Sequence, residues 1–143
     1  MTILDAAGLI AYFVGEPAEP QVQALLRTQD VVMTAVNLAE ARDKLERALG
    51  VDASRIDTAI EQLLENGLGV LPIEMQDGLL AGRVRAAEYD GTRNDLSLAD
   101  CILLARALRH GAMIASSDRD LVATARRLGV QVVPLPNSAG LLP

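Results

Sequence analysis

The stretch LSLADCILLARALRHGAMIASSDRDL, residues 96–121, carries the pattern that decides the fold. Ser97 followed three residues later by Asp100 has the S-x-x-acid form of a helix start. Leu98, Cys101, Ile102, Ala105 and Leu108 recur at the helical period, which predicts a helix with one apolar stripe, and Gly111 ends it. Residues 112–115 are short, apolar and bounded by polar side chains, as in a central strand of a parallel sheet. Ser116, Ser117 and Asp118 then stand just beyond the carboxyl end of that strand, the edge at which open α/β sheets place ligands. Two carboxylates, Asp100 and Asp118, therefore flank one buried helix–strand unit.

Working outward, the same alternation repeats. Residues 2–4 form a short β-prone run with Asp5 directly after it, and 6–14 read as a helix broken by Gly15 and Pro17. Helices are predicted at 19–27, 36–49, 52–65, 75–89 and 121–128, and further strands at 31–34, 70–73 and 130–133. Right-handed crossovers turn this order into an α/β fold. It is a single domain with a parallel five-stranded sheet in order 3-2-1-4-5 and helices on both faces. That order sets Asp5 and Asp118 facing each other across the switch point. The domain is expected to cover residues 1–134, with 135–143 a Pro-containing C-terminal tail.

Composition narrows the function. Half of the 143 residues are apolar and only 2% aromatic, so the interior is built from Leu, Val, Ile and Ala. A net charge of −6 argues against bulk electrostatic capture of nucleic acid. Cys101 is the only cysteine, so no internal disulfide can form, and a cytoplasmic setting is expected. The apolar run at 6–14 is too short to span a bilayer. With one histidine, His110, and one cysteine, the usual His/Cys zinc site is excluded, and Cys101 on an apolar stripe with His110 capping a helix end beside Gly111 argues against a Cys–His dyad. No Walker loop or GxGxxG stretch occurs.

Carboxylate chemistry remains. Asp5 and Asp118 each have a simple reading as helix caps, and Asp100 as the acid of a capping box. Glu40 lies about 130° from the centre of the apolar face of its helix, where a solvated pair with Lys44 explains it. Acids gathered at one sheet edge repel one another and need a counterion. Oxygen ligands alone select hard cations, Mg²⁺ or else Mn²⁺.

Four blocks add to this reading: Ile3-Leu4-Asp5-Ala6, Val36-Asn37-Leu38-Ala39-Glu40, Leu96-Ser97-Leu98-Ala99-Asp100 and Ser116-Ser117-Asp118-Arg119-Asp120-Leu121. In order and spacing they resemble the signature blocks of the PIN-domain family, and most of all its VapC-type toxin branch. The resemblance runs the length of the chain. It implies a metal-dependent endoribonuclease, with Asp5, Glu40, Asp100 and Asp118 as catalytic and metal-holding acids, Ser116 in support and Asp120 as an extra ligand or a cap. The implied reaction is phosphodiester hydrolysis leaving a 5′-phosphate, with Glu40 positioning a second ion or orienting the attacking water. Implied partners are a structured RNA substrate, a cognate antitoxin and a second copy of the chain in a homodimer. The antitoxin would lie along apolar helices, at a groove expected from Val22, Leu25, Leu26, Ile60 and Leu64. Arg93, Arg119, Arg83 and Arg85 are the basic residues placed to meet RNA. The alternative is a non-catalytic α/β Mg²⁺-binding module, either receiver-like or a degenerate PIN domain binding RNA or a partner. A receiver needs a lysine after its last strand, and Lys44, the only lysine, is elsewhere.

Overall fold

The structure is a computed structural model that describes every residue except Gln29 and the side chain of Thr28. Its strands are β1 (Thr2–Leu4), β2 (Val31–Thr34), β3 (Gly69–Leu71), β4 (Met113–Ser116) and β5 (Val132–Pro134). They pair in parallel in the order β3-β2-β1-β4-β5, as the alternating pattern predicts. The helices are α1 (Ala6–Val14), α2 (Glu19–Thr28), α3 (Ala35–Asp43), α4 (Ala53–Glu65), α5 (Met75–Glu88), α6 (Leu98–His110) and α7 (Arg119–Arg127).

Strand alternation splits the core in two. Ile3, Val32 and Ile114 face α5, α6 and α7, whereas Leu4, Val31, Met33 and Ala115 face α1 and α2. Register sets the site. Leu4 pairs with Ala115 and Ser116 with Pro134, so Asp5 and Ser116 come together at the carboxyl edge of the sheet, with Thr34 one strand over.

Several element readings change. The predicted single stripe on α6 is replaced by burial almost all round: Ala99 and residues 101–107 are buried, while Leu98 is exposed. The cause is α5, which covers the side away from the sheet. Arg106 is buried there because Asp77 of α5, itself fully buried, accepts its hydrogen bond at 2.8 Å, while Arg109 also reaches Asp77. Burial alone would push the Asp77 carboxyl up, but the Glu74 amide and the two arginines hold it below the usual carboxylate range. The expected helix at 36–49 is α3 followed by a π-helical turn, Lys44–Ala48, after which Leu49 is exposed. Strand β3 ends at Leu71 because Pro72 has no N–H for the ladder. Val130 precedes β5 and instead closes α7, its N–H bonding the Ala125 carbonyl past Gly129 at φ 79°. Leu135, at the start of the expected tail, is buried, and its N–H donates to the Ser116 carbonyl at 2.8 Å.

Candidate active site

Asp5 is the fixed point of the site. It caps α1, its Oδ1 accepting the Gly8 N–H at 2.6 Å, and its Oδ2 accepts the Ser116 hydroxyl. Ser116 Oγ in turn accepts the Asp118 N–H at 2.9 Å. A relay of hydrogen bonds thus runs from the α7 start through β4 to the end of β1. Gly8 makes the close approach possible. A Cβ there would stand 2.6 Å from Leu4 Cδ1 and 3.1 Å from Asp5 Oδ1.

The other acids are also helix-start residues. Asp118 caps α7 through the Leu121 N–H at 2.8 Å. Asp100 completes the capping box of α6, its Oδ2 accepting from the Ser97 N–H at 2.8 Å and the Ser97 hydroxyl at 2.7 Å. The capping explanation and the clustered-acid explanation therefore describe the same side chains. Glu40 pairs with Lys44 at 2.8 Å, its side chain 23% exposed. Asp120 is not the cap of α7. Asp118 holds the N-cap, and Asp120 Oδ2 accepts the Asp95 N–H at 3.0 Å, pinning the loop at 90–97 to α7.

Electrostatics tie the acids together. Burial pushes the Asp5 carboxyl from its ordinary 3.8 up to about 7. The Ser116 hydroxyl and Gly8 amide pull against that, and the charges of Asp100 and Asp118 add to it. Burial also raises Asp100, opposed by Ser97 and reinforced by Asp118 and Glu40. Asp100 thus lies within electrostatic range of each of the other three acids. They do not collapse onto one point: among the described residues no three acidic, His or Cys side chains stand close enough to share an ion directly. Each of the four acids spends an oxygen on a local cap or ion pair. The donor set fits a hard divalent cation held by one or two carboxylates and otherwise by water, the usual habit of Mg²⁺.

Sequence reasoning passed over two contributors. Gly8 is one, for the reason above. Asn37 is the other: fully buried one turn before Glu40, it shares a hydrogen bond with Thr34, while its Nδ2 has no partner among the described residues. Of the four arginines named for RNA, Arg85 is committed internally, donating to the Leu96 carbonyl at 2.6 Å and lying 4.3 Å over the Tyr89 ring. Arg119 is 85% exposed beside Asp120, Arg93 is exposed beside Asp90, and Arg83 is exposed.

The groove residues also separate. Val22 and Leu25 belong to the core, whereas Leu64 is exposed and Ile60 half-buried. Open clefts lie instead on either side of α4. One, of about 510 Å³, is lined by Tyr12, Phe13, Val51, Ala59 and Leu63. The other, of about 380 Å³, is lined by Ala35, Leu38, Ala39 and Ile60.

Comparison with known proteins bears on the family and the fold. VapC ribonuclease Mb1587 of Mycobacterium bovis is 31% identical over 135 residues, spanning 92% of this chain and 96% of that protein. In shape the chain matches the toxin VapC20 of Mycobacterium tuberculosis, described as cleaving the sarcin-ricin loop, at a TM-score of 0.68. That match has 19% identity and covers 86% and 94% of the two chains. It also matches FitAcB of Neisseria gonorrhoeae at a TM-score of 0.65 and 23% identity, over 99% and 100%. The family model for the PIN domain covers residues 2–127, a span that includes all four acids and the edge on which they stand. With that coverage, the chain belongs to the PIN-domain family.

Proposed function

We propose that this protein is a divalent-metal-dependent endoribonuclease and the toxin half of a toxin–antitoxin pair. The observation that carries the reading is Asp5, buried between the Ser116 hydroxyl and the Gly8 amide while facing the charges of Asp100 and Asp118. A carboxylate in that position is poorly tolerated without a cation, and oxygen donors alone call for Mg²⁺ or Mn²⁺. Asp5, Asp100 and Asp118 would hold the ion, directly or through water, with Glu40 at its flank. When bound, the ion supplies positive charge to the scissile phosphate and makes water acidic enough to attack at neutral pH.

The chain's own residues set the geometry. Ser116 and Gly8 fix both oxygens of Asp5, and Ser97 fixes Asp100. Among the described residues Glu40 is held by the half-exposed Lys44, through Oε1, and it would orient the attacking water and accept its proton. The water oxygen bonds to phosphorus, the P–O3′ bond breaks, and a proton passes to the leaving oxygen, giving a 5′-phosphate and a 3′-hydroxyl. Arg119, Arg93 and Arg83 would meet the backbone of a structured RNA, since the 2% aromatic content leaves few stacking platforms. The clefts beside α4 would take the apolar segment of an antitoxin, and a homodimer would pair two such sites.

Incubation of purified protein with total RNA and Mg²⁺ or Mn²⁺ tests this. Cleavage should require the ion and be lost in Asp5→Asn and Asp100→Asn; cleavage persisting in both variants, or in EDTA, refutes it.

A further inference from the structure

Three ion pairs at i, i+4 decorate α3 and the π-helical turn that extends it, and only one looks into the site. Arg42 pairs with Glu46 at 2.6 Å and reaches Asp57 of α4 at 2.9 Å, and Arg47 pairs with Asp43 at 2.7 Å. Lys44 is different. Its ammonium lies 2.8 Å from Glu40 Oε1 and is within electrostatic reach of Asp100 and Asp5 as well. It is the only lysine in the chain. It also stands at the first position of the π turn, where the Leu49 N–H bonds the Lys44 carbonyl across five residues at 3.1 Å. Such insertions re-aim the side chains around them and recur at functional sites. The chain thus sets one compact, mobile point charge against its acids, where every other basic side chain apart from His110 is a guanidinium.

We propose that Lys44 is the site's resident counter-cation: a divalent ion displaces it from Glu40, and the released ammonium then docks a phosphate of the bound RNA. The inference deepens the nuclease reading and rests on it. Without an ion, the ammonium offsets part of the repulsion among Glu40, Asp100 and Asp5 and keeps Glu40 directed at the cluster. With an ion bound, Glu40 is drawn inward, and Lys44, whose side chain is 47% exposed, is left at the rim as a cation without its carboxylate. In a chain of net charge −6, such a cation gives the phosphate backbone a foothold beside the acids.

Two readouts test the exchange, with wild type, Lys44→Met and Lys44→Arg compared at fixed ionic strength. Mn²⁺ affinity, followed by electron paramagnetic resonance, should rise by about tenfold in Lys44→Met, the order Coulomb's law gives for removing one positive charge beside a divalent ion in a water-like medium. It should stay near wild type in Lys44→Arg. In cleavage assays Lys44→Met should raise KM more than it lowers kcat, and the log–log slope of KM against salt should fall by about 1. The Lys44 side chain is half exposed, so the variants should fold, and thermal melts check this. Unchanged Mn²⁺ affinity in Lys44→Met overturns the inference and leaves the nuclease reading intact, as does an unchanged salt slope. Failure of the wild-type protein to bind Mn²⁺ removes both.

Discussion

Replacing Asp5 with Asn should make the metal-free protein more stable at neutral and alkaline pH, although it abolishes the site. Asp5 is 3% exposed, and its carboxyl is pushed up to about 7 from 3.8. The folded protein therefore holds this proton more tightly than the unfolded chain does. Below about pH 4 both states are protonated and the group is neutral in the balance. Between the two values the unfolded chain ionises first, so folding loses about 1.4 kcal/mol for each pH unit. Above about 7 the full penalty applies, with a ceiling of about 4 kcal/mol. Asp100, raised in the same direction, adds to it. Asn carries no charge, and its Oδ1 can still accept the Gly8 N–H. Its amide cannot accept the Ser116 hydroxyl, a loss of about 1 kcal/mol. Urea denaturation in EDTA should thus find Asp5→Asn slightly less stable than wild type at pH 4.5 and about 3 kcal/mol more stable at pH 8. A variant no more stable at pH 8, or one with the wild-type slope between pH 4.5 and 8, would refute the claim that Asp5 is held in a strained ionised state.

Three further outcomes follow from the same contacts. Gly8→Ala drives a methyl group to 2.6 Å from Leu4 Cδ1 and toward Asp5; it should cost about 1–3 kcal/mol in urea denaturation and depress cleavage beyond what the stability loss explains. Ser116→Ala removes the hydroxyl that lowers the Asp5 carboxyl, so the acid limb of kcat/KM should move to higher pH, and an unmoved limb would separate Ser116 from Asp5. Asp77→Ala removes the nearer carboxylate of the buried Arg106, leaving it Glu74 at 3.4 Å, and should cost about 3 kcal/mol in denaturant while leaving kcat unaltered at temperatures where the variant is folded.

What could be read from the sequence depended on whether the cause was local. Asp5 was legible because a short apolar run followed at once by an acid fixes that acid at the carboxyl end of a strand, and Asp118 because it comes two residues after the last residue of such a run that forms β4. Asp100 was legible for a similar reason, since Ser97 three residues earlier sets the capping box. The helical period placed Glu40 away from the core, and that is correct as far as it goes: the side chain is partly exposed and does pair with Lys44. Its nearness to Asp100 comes from α3 starting straight off β2 and packing on α6, a fact of topology rather than of the helix itself. The burial of α6 was missed because a helix covered on nearly every side has no periodicity to detect, and the partner that permits Arg106 inside it lies 29 residues away. The π turn has neither Pro nor Gly to announce it. These gaps share a direction. Local chemistry tells where an acid starts a helix, and only the packing of distant segments tells which of those helix starts face one another, so the grouping of the carboxylates at the starts of α1, α6 and α7 comes from the topology alone.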